Sequence, residues 1–70
     1  MEHPLRTFRK TQGISFGVMA ALIDVSKSFL SQVENGQRNL SPHAAYRVSE
    51  ITGIPVHDLR PDIFRQPEQR

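Results

Sequence analysis

The sequence contains no cysteine and no tryptophan, so neither a disulfide framework nor a thiolate metal site is available to hold it together. Long hydrophobic runs are absent as well. The longest uninterrupted apolar stretch, Val18 to Ile23, falls far short of the roughly 20 residues that a membrane-spanning helix requires. Nor is there a block of like charges. Nine Lys and Arg stand against seven Asp and Glu, a net charge of +2. They are dispersed: Arg6, Arg9 and Lys10 face Glu2 in residues 1–12, Lys27 faces Asp24 and Glu34 in residues 13–36, and five Arg face four acids from residue 37 onward. This is not the pattern of a basic tail that coats nucleic acid non-specifically. A folded surface that gathers Lys27, Arg38, Lys10 and Arg6 stays open. The N-terminus, Met1-Glu2-His3-Pro4, lacks the basic-then-apolar pattern of a secretion signal. At 70 residues the chain is expected to form one small, soluble domain in the cytoplasm, with no membrane contact. A chain of that length buries only about 60 % of its unfolded surface, so its core must be small.

What is present is punctuation for short helices. Leu5 and Phe8 are three apart, and Gly13 stands where a helix-closing glycine belongs, which predicts a first helix over 5–12. Ser15 is a capping residue for a second helix running to Ile23. Asp24-Val25-Ser26 interrupts the pattern, and Ser26 caps a third helix over 27–35 that Gly36 closes. Residues 36–40 read as a polar loop. Ser41-Pro42 is a strong start signal, Ala44, Ala45, Val48 and Ile51 follow helical spacing, and Gly53 ends the fourth helix. A short fifth helix is expected from Pro55 to Leu59. Residues 1–66 are therefore read as the domain and 67–70 as a disordered tail. The fold class is all-α, with five helices.

Two short helices that cross steeply at a tight turn need a small side chain where they touch, a turn residue that tolerates left-handed backbone, and apolar residues on both inner faces. Ala20 supplies the first and Asp24 the second, since acidic and amide side chains tolerate that backbone better than most. Met19, Ile23, Val25, Leu30 and Val33 supply the third. The outward residues of the second of these helices are then Lys27, Ser28, Ser31 and Gln32.

The stretch from Ser15 to Arg38, and above all Val33-Glu34-Asn35-Gly36-Gln37-Arg38-Asn39, resembles the helix-turn-helix of the phage repressor and Cro-like (XRE-type) family of DNA-binding proteins. The resemblance extends over roughly Leu5 to Leu59. It implies a compact five-helix repressor-type domain with a central helix-turn-helix, and a transcriptional regulator that binds a double-stranded DNA operator as a homodimer. The docking geometry so implied is the one described in general for phage repressors. Lys27, Ser28, Ser31 and Gln32 match positions that contact base edges in the major groove, and Asn35, Gln37 and Arg38 match the loop that grips the DNA backbone. Chemically these suit: lysine donates to guanine O6 and N7, and glutamine bonds adenine through two hydrogen bonds. Arg9 matches an arginine of the first helix that pairs with Glu34. The segment Thr52 to Phe64 is also similar to small Cro-like antitoxins, which keeps open a second class of function, an interaction module for a protein partner such as a toxin or another regulator.

Departures from the family pattern lie at Phe16, where a phosphate-binding glutamine is usual, at Asp24, where glycine is common, and at Val18, Leu22 and Phe29, where polar residues are commoner. Two readings stand for Phe29, contact with a thymine methyl or packing with Phe16 as an enlarged core, and the second is the one expected. Apolar residues of the last segment, with Leu59, Ile63 and Phe64 foremost, are expected to form the dimer interface. His3, His43 and His57 lack the short spacing of a helical metal pair, so no metal site, no cofactor and no catalytic residue is expected.

Overall fold

The structure, a computed structural model, describes residues 2–64. Among them every regular element is helical: α1 (Pro4–Gln12), α2 (Phe16–Leu22), α3 (Lys27–Glu34), α4 (Pro42–Thr52) and α5 (Val56–Leu59). These are the five helices expected, with bounds shifted by a residue. Ile23 and Asn35 serve as C-caps of α2 and α3 rather than as helical residues. Residues 67–70, expected as a tail, lie outside the described residues.

The helix starts follow from short polar side chains. The hydroxyls of Ser15, Ser26 and Ser41 accept from the amides of Val18, Phe29 and Ala44 at 3.3, 3.0 and 3.1 Å, each satisfying a first-turn N–H that has no partner in its own helix. At α1 the cap is His3, whose Nδ1 accepts from the Leu5 amide at 3.1 Å. Pro4 and Pro42 occupy the first turns of α1 and α4, where a missing N–H costs nothing.

The helix ends share one device. After α1, α2 and α3 a residue with left-handed backbone follows the last helical turn: Gly13 (φ 66°), Asp24 (φ 60°) and Gly36 (φ 78°). Each donates its N–H to one carbonyl, and the next residue donates to a carbonyl one position earlier. Gly13 and Ile14 donate to Lys10 and Arg9, Asp24 and Val25 to Ala21 and Ala20, and Gly36 and Gln37 to Val33 and Gln32. This paired 5→2 and 6→1 closure is the Schellman motif. Asp24 adopts it without being glycine, in keeping with the tolerance expected of that residue.

The described chain divides after Asn39 into two compact units, α1–α3 in the first and α4–α5 in the second. In the first, Leu5, Met19, Ala20, Ile23, Leu30 and Val33 form the core, none of them more than 3 % exposed. Val25, expected among them, is half-buried. The axes of α2 and α3 differ by 101° across residues 23–26, within the roughly 90–120° of a helix-turn-helix. The near-absence of a side chain at Ala20 suits that steep crossing.

The second unit buries Leu40, Ala45, Val48 and Leu59. Leu40 was expected in a polar loop. Its side chain is enclosed, and its carbonyl accepts from the Arg60 guanidinium, which also donates to Asp62 Oδ1 at 2.9 Å. Ile51, expected on the inner face of α4, is instead 41 % exposed. Thr52 closes that helix, donating its hydroxyl to the Val48 carbonyl at 2.8 Å and accepting from the Ile54 amide at 3.2 Å. Among the described residues no single helix is long and apolar enough to cross a membrane.

Left-handed backbone costs an ordinary L-residue about 1–2 kcal/mol, less for Asp and nothing steric for Gly. Asp24→Gly should therefore raise stability by about 0.5–1 kcal/mol, and Asp24→Val should lower it by about 1–2 kcal/mol. Thermal denaturation of the two variants beside the parent chain checks both signs.

Candidate nucleic-acid interface

The eight residues of α3 sort cleanly by face. Leu30, Val33 and Glu34 point inward and are buried. Lys27 and Ser28 are exposed, while Ser31 and Gln32 are half-exposed one turn later on the same side. Positions 27, 28, 31 and 32 form one continuous stripe at helical spacing. The four residues singled out from the sequence are thus brought together, and what they present is chemically mixed: one cation, two hydroxyls and one amide.

The loop after α3 is bound to the same stripe. The Gln32 carbonyl accepts from the amides of both Gln37 (2.8 Å) and Arg38 (3.2 Å), so these residues leave the helix in a fixed direction. Asn35, Gln37 and Arg38 are all exposed. The Asn35 side chain is itself oriented: its Oδ1 accepts from Arg6 Nη2 at 2.9 Å, and its Nδ2 donates to Ser31 Oγ at 3.5 Å. The amide nitrogen keeps a second N–H beyond the one given to Ser31.

Beneath the stripe lies Glu34, whose side chain is 1 % exposed. Its two oxygens accept from Arg9 Nε and Nη2, each at 3.2 Å, and from Arg6 Nε at 3.1 Å. The Arg9–Glu34 pair matches expectation; the second arginine was missed. Arg6 precedes Arg9 by three residues on α1 and therefore shares its face, which was the available signal. Burial pushes the Glu34 carboxyl up, and the hydrogen bonds from Arg9 and then Arg6 outweigh that, leaving it below its ordinary 4.5.

These contacts correct the expected cationic surface. Arg6 is committed to Glu34 and Asn35, and Lys10 pairs with Glu2 at 2.9 Å. Among the described residues of the first unit, Lys27 and Arg38 are the cations without an acidic partner. The aromatic expectation changes as well. Phe16 is half-buried beneath the Arg9 guanidinium, whose Cζ stands 5.3 Å from the ring centroid. Phe29 is half-buried too, but the two rings do not pair. The ring pair among the described residues is Tyr46–Phe64, edge-to-face at 5.0 Å and 72°. Val18 and Leu22, one turn apart on α2, are 58 % and 45 % exposed.

Of the three residues expected at a dimer interface, Leu59 is only 5 % exposed and belongs to the core of its own unit. It is not available as a surface contact, because α5 is a single turn that needs Leu59 to hold it down. Ile63 is 45 % exposed and Phe64 is half-buried against Tyr46. No group of histidines and acids that could hold a metal is formed among the described residues.

Two short helices at a steep angle, an outward polar stripe on the second and a loop cation beside it define a helix-turn-helix DNA-binding protein. The helix-turn-helix family model matches residues 5–59, and the chain belongs to that lambda repressor/Cro-like family of DNA-binding regulators. No curated protein and no solved structure matches the chain.

Because the Glu34 carboxyl titrates lower in the folded chain than in the unfolded one, it adds stability that is fully present above about pH 4.5 and is lost as pH falls through the folded value. Glu34→Gln should flatten the acid limb of the stability curve. At neutral pH it should cost on the order of 2 kcal/mol, since two guanidinium groups lose a charged acceptor. Denaturant midpoints taken from pH 2 to pH 7 on both chains would show it; parallel acid limbs would refute it.

Proposed function

We propose that the chain is a sequence-specific transcriptional repressor that binds a palindromic duplex operator as a homodimer, with α3 in the major groove. The observation that carries this reading is the face of α3. Ser28, Ser31 and Gln32 stand in one stripe with Lys27, while the loop residues Gln37 and Arg38 are tied to the same helix through the Gln32 carbonyl and Asn35 through the Ser31 carbonyl. A helix of this kind offers donors and acceptors to base edges, and the loop beside it meets the phosphates that flank them. Gln32 suits adenine, and Ser28 and Ser31 suit any base edge within reach. One recognition helix makes too few contacts for the ~10⁻⁸–10⁻¹¹ M affinities of specific sites, which supports two copies on half-sites about one helical turn apart. The residues we assign to the dimer contact are Ile63 and Phe64, with Tyr46 behind Phe64.

A second reading adds a protein partner, such as a toxin or another regulator. Val18 and Leu22 favour it, being large apolar side chains left exposed on α2 where solvent contact has no benefit.

Selection from a random duplex pool tests the main reading. The enriched site should be a palindrome. Gln32→Ala should lose about 1–3 kcal/mol of discrimination at one base pair of each half-site, whereas Arg38→Ala should weaken matched and mismatched duplexes alike and lower the salt dependence. A pool without enrichment would sink the reading. Phe64→Ala should shift the sedimentation of the free protein toward monomer; an unchanged profile would remove the tail from the dimer contact.

A further inference from the structure

α2 is a seven-residue helix that carries a glycine at its second position, Gly17. Glycine inside a helix is unfavourable, because it gives up the most backbone freedom and contributes no packing. The other three glycines stand at helix ends with positive φ, where their conformation accounts for them; Gly17 does not. What accounts for Gly17 is a neighbour. A Cβ at position 17 would stand 3.1 Å from Lys27 Cε, tighter than a methyl group comfortably sits, and 3.5 Å from Lys27 Nζ, an ordinary contact. The lysine stem therefore runs from the first residue of α3 back across α2, through the space the glycine leaves open.

That course bears on what Lys27 contacts, on the reading that α3 enters the groove. In a helix-turn-helix the second helix lies among the bases while the first crosses the sugar-phosphate backbone. A side chain that reads a base must project from the second helix into the groove. Lys27 instead lays its ammonium against Gly17 in the first turn of that first helix, the one that crosses the backbone in such complexes. Its ammonium has no acidic partner among the described residues, and α2 offers no polar side chain of its own between Phe16 and Leu22. A compact, freely rotating ammonium also suits a phosphate better than it suits a two-point match to a base edge.

We infer that Lys27 is a phosphate contact rather than a base reader, and that Gly17 is the positioning residue that lets it lie across α2. Sequence discrimination then falls to the uncharged residues Ser28, Ser31 and Gln32.

The test uses the full chain and the duplex it enriches from a random pool, with single-mismatch versions beside it. Lys27→Met keeps the stem over Gly17 and removes the charge. It should enrich the same sequence as the parent, bind matched and mismatched duplexes weaker by the same factor, and reduce the salt slope by about 0.9 for each copy bound. Gly17→Ala should melt higher than the parent, because alanine is the better helix former. It should also weaken binding several-fold on every duplex, and it should do nothing further when combined with Lys27→Met. A changed base preference at one position in Lys27→Met, with the salt slope intact, overturns the assignment. An equal loss from Gly17→Ala in both backgrounds overturns the role of Gly17. A parent chain that enriches no sequence removes the groove reading itself and this inference with it.

Discussion

The first unit is organised around one buried carboxylate. Glu34 sits in the last turn of α3, enclosed, at the end of a helix where a negative charge is least welcome. Left alone there it would strongly disfavour the fold. Arg6 and Arg9 offset the cost, and because they are one turn apart they fix how α1 is rotated against α3. The same interaction determines which residues of α3 can face outward. With Glu34 turned in beside Leu30 and Val33, the opposite side carries Ser28, Ser31 and Gln32, and Lys27 is exposed beside them at the first position of the helix.

The bond network continues outward from that point. Arg6 reaches past Glu34 to the Asn35 carbonyl, and Arg9 covers the Phe16 ring at the start of α2. Helix direction is settled elsewhere, by three left-handed residues, Gly13, Asp24 and Gly36, that each close a helix in the same way. Ordering the exit of α3 is what places Gln37 and Arg38 beside the outward stripe of that helix rather than in a free loop. Stability and the geometry of the proposed interface therefore rest on the same few polar contacts, while the apolar core is small and ordinary.

Much of this was legible in the sequence because it is local. The serine caps, the glycine closures and the alternation of α3 are each determined within four or five residues, and all were found. The turn at Asp24 could be read because few non-glycine side chains tolerate that backbone. What could not be read depends on contacts remote in sequence. Leu40 looked like loop because its burial is provided by partners elsewhere in its unit, including Arg60 twenty residues away. Leu59 looked like a spare apolar residue until α5 was seen to require it. Arg6 shares a face with Arg9, yet its reach to Asn35 depends on the distance between α1 and the end of α3. The cover of Phe16 by Arg9 was likewise not read, because it depends on how α1 lies against the start of α2. Gly17 carries no local signal of its own, and its meaning appears only with Lys27 beside it.

The scarcity of uncompensated cations on the first unit has a kinetic meaning. A protein that searches a genome spends its time on the wrong sequences in proportion to how many phosphates it neutralises. With Arg6, Arg9 and Lys10 held by acids of the chain itself, Lys27 and Arg38 are what the described residues of the first unit leave for that transaction on the proposed reading. If the chain reads an operator as proposed, sliding along non-cognate duplex is brief, the free pool stays large, and occupancy of the true site follows the concentration of the protein closely. A regulator built this way responds to changes in its own synthesis or loss with little delay from a reservoir on bulk DNA.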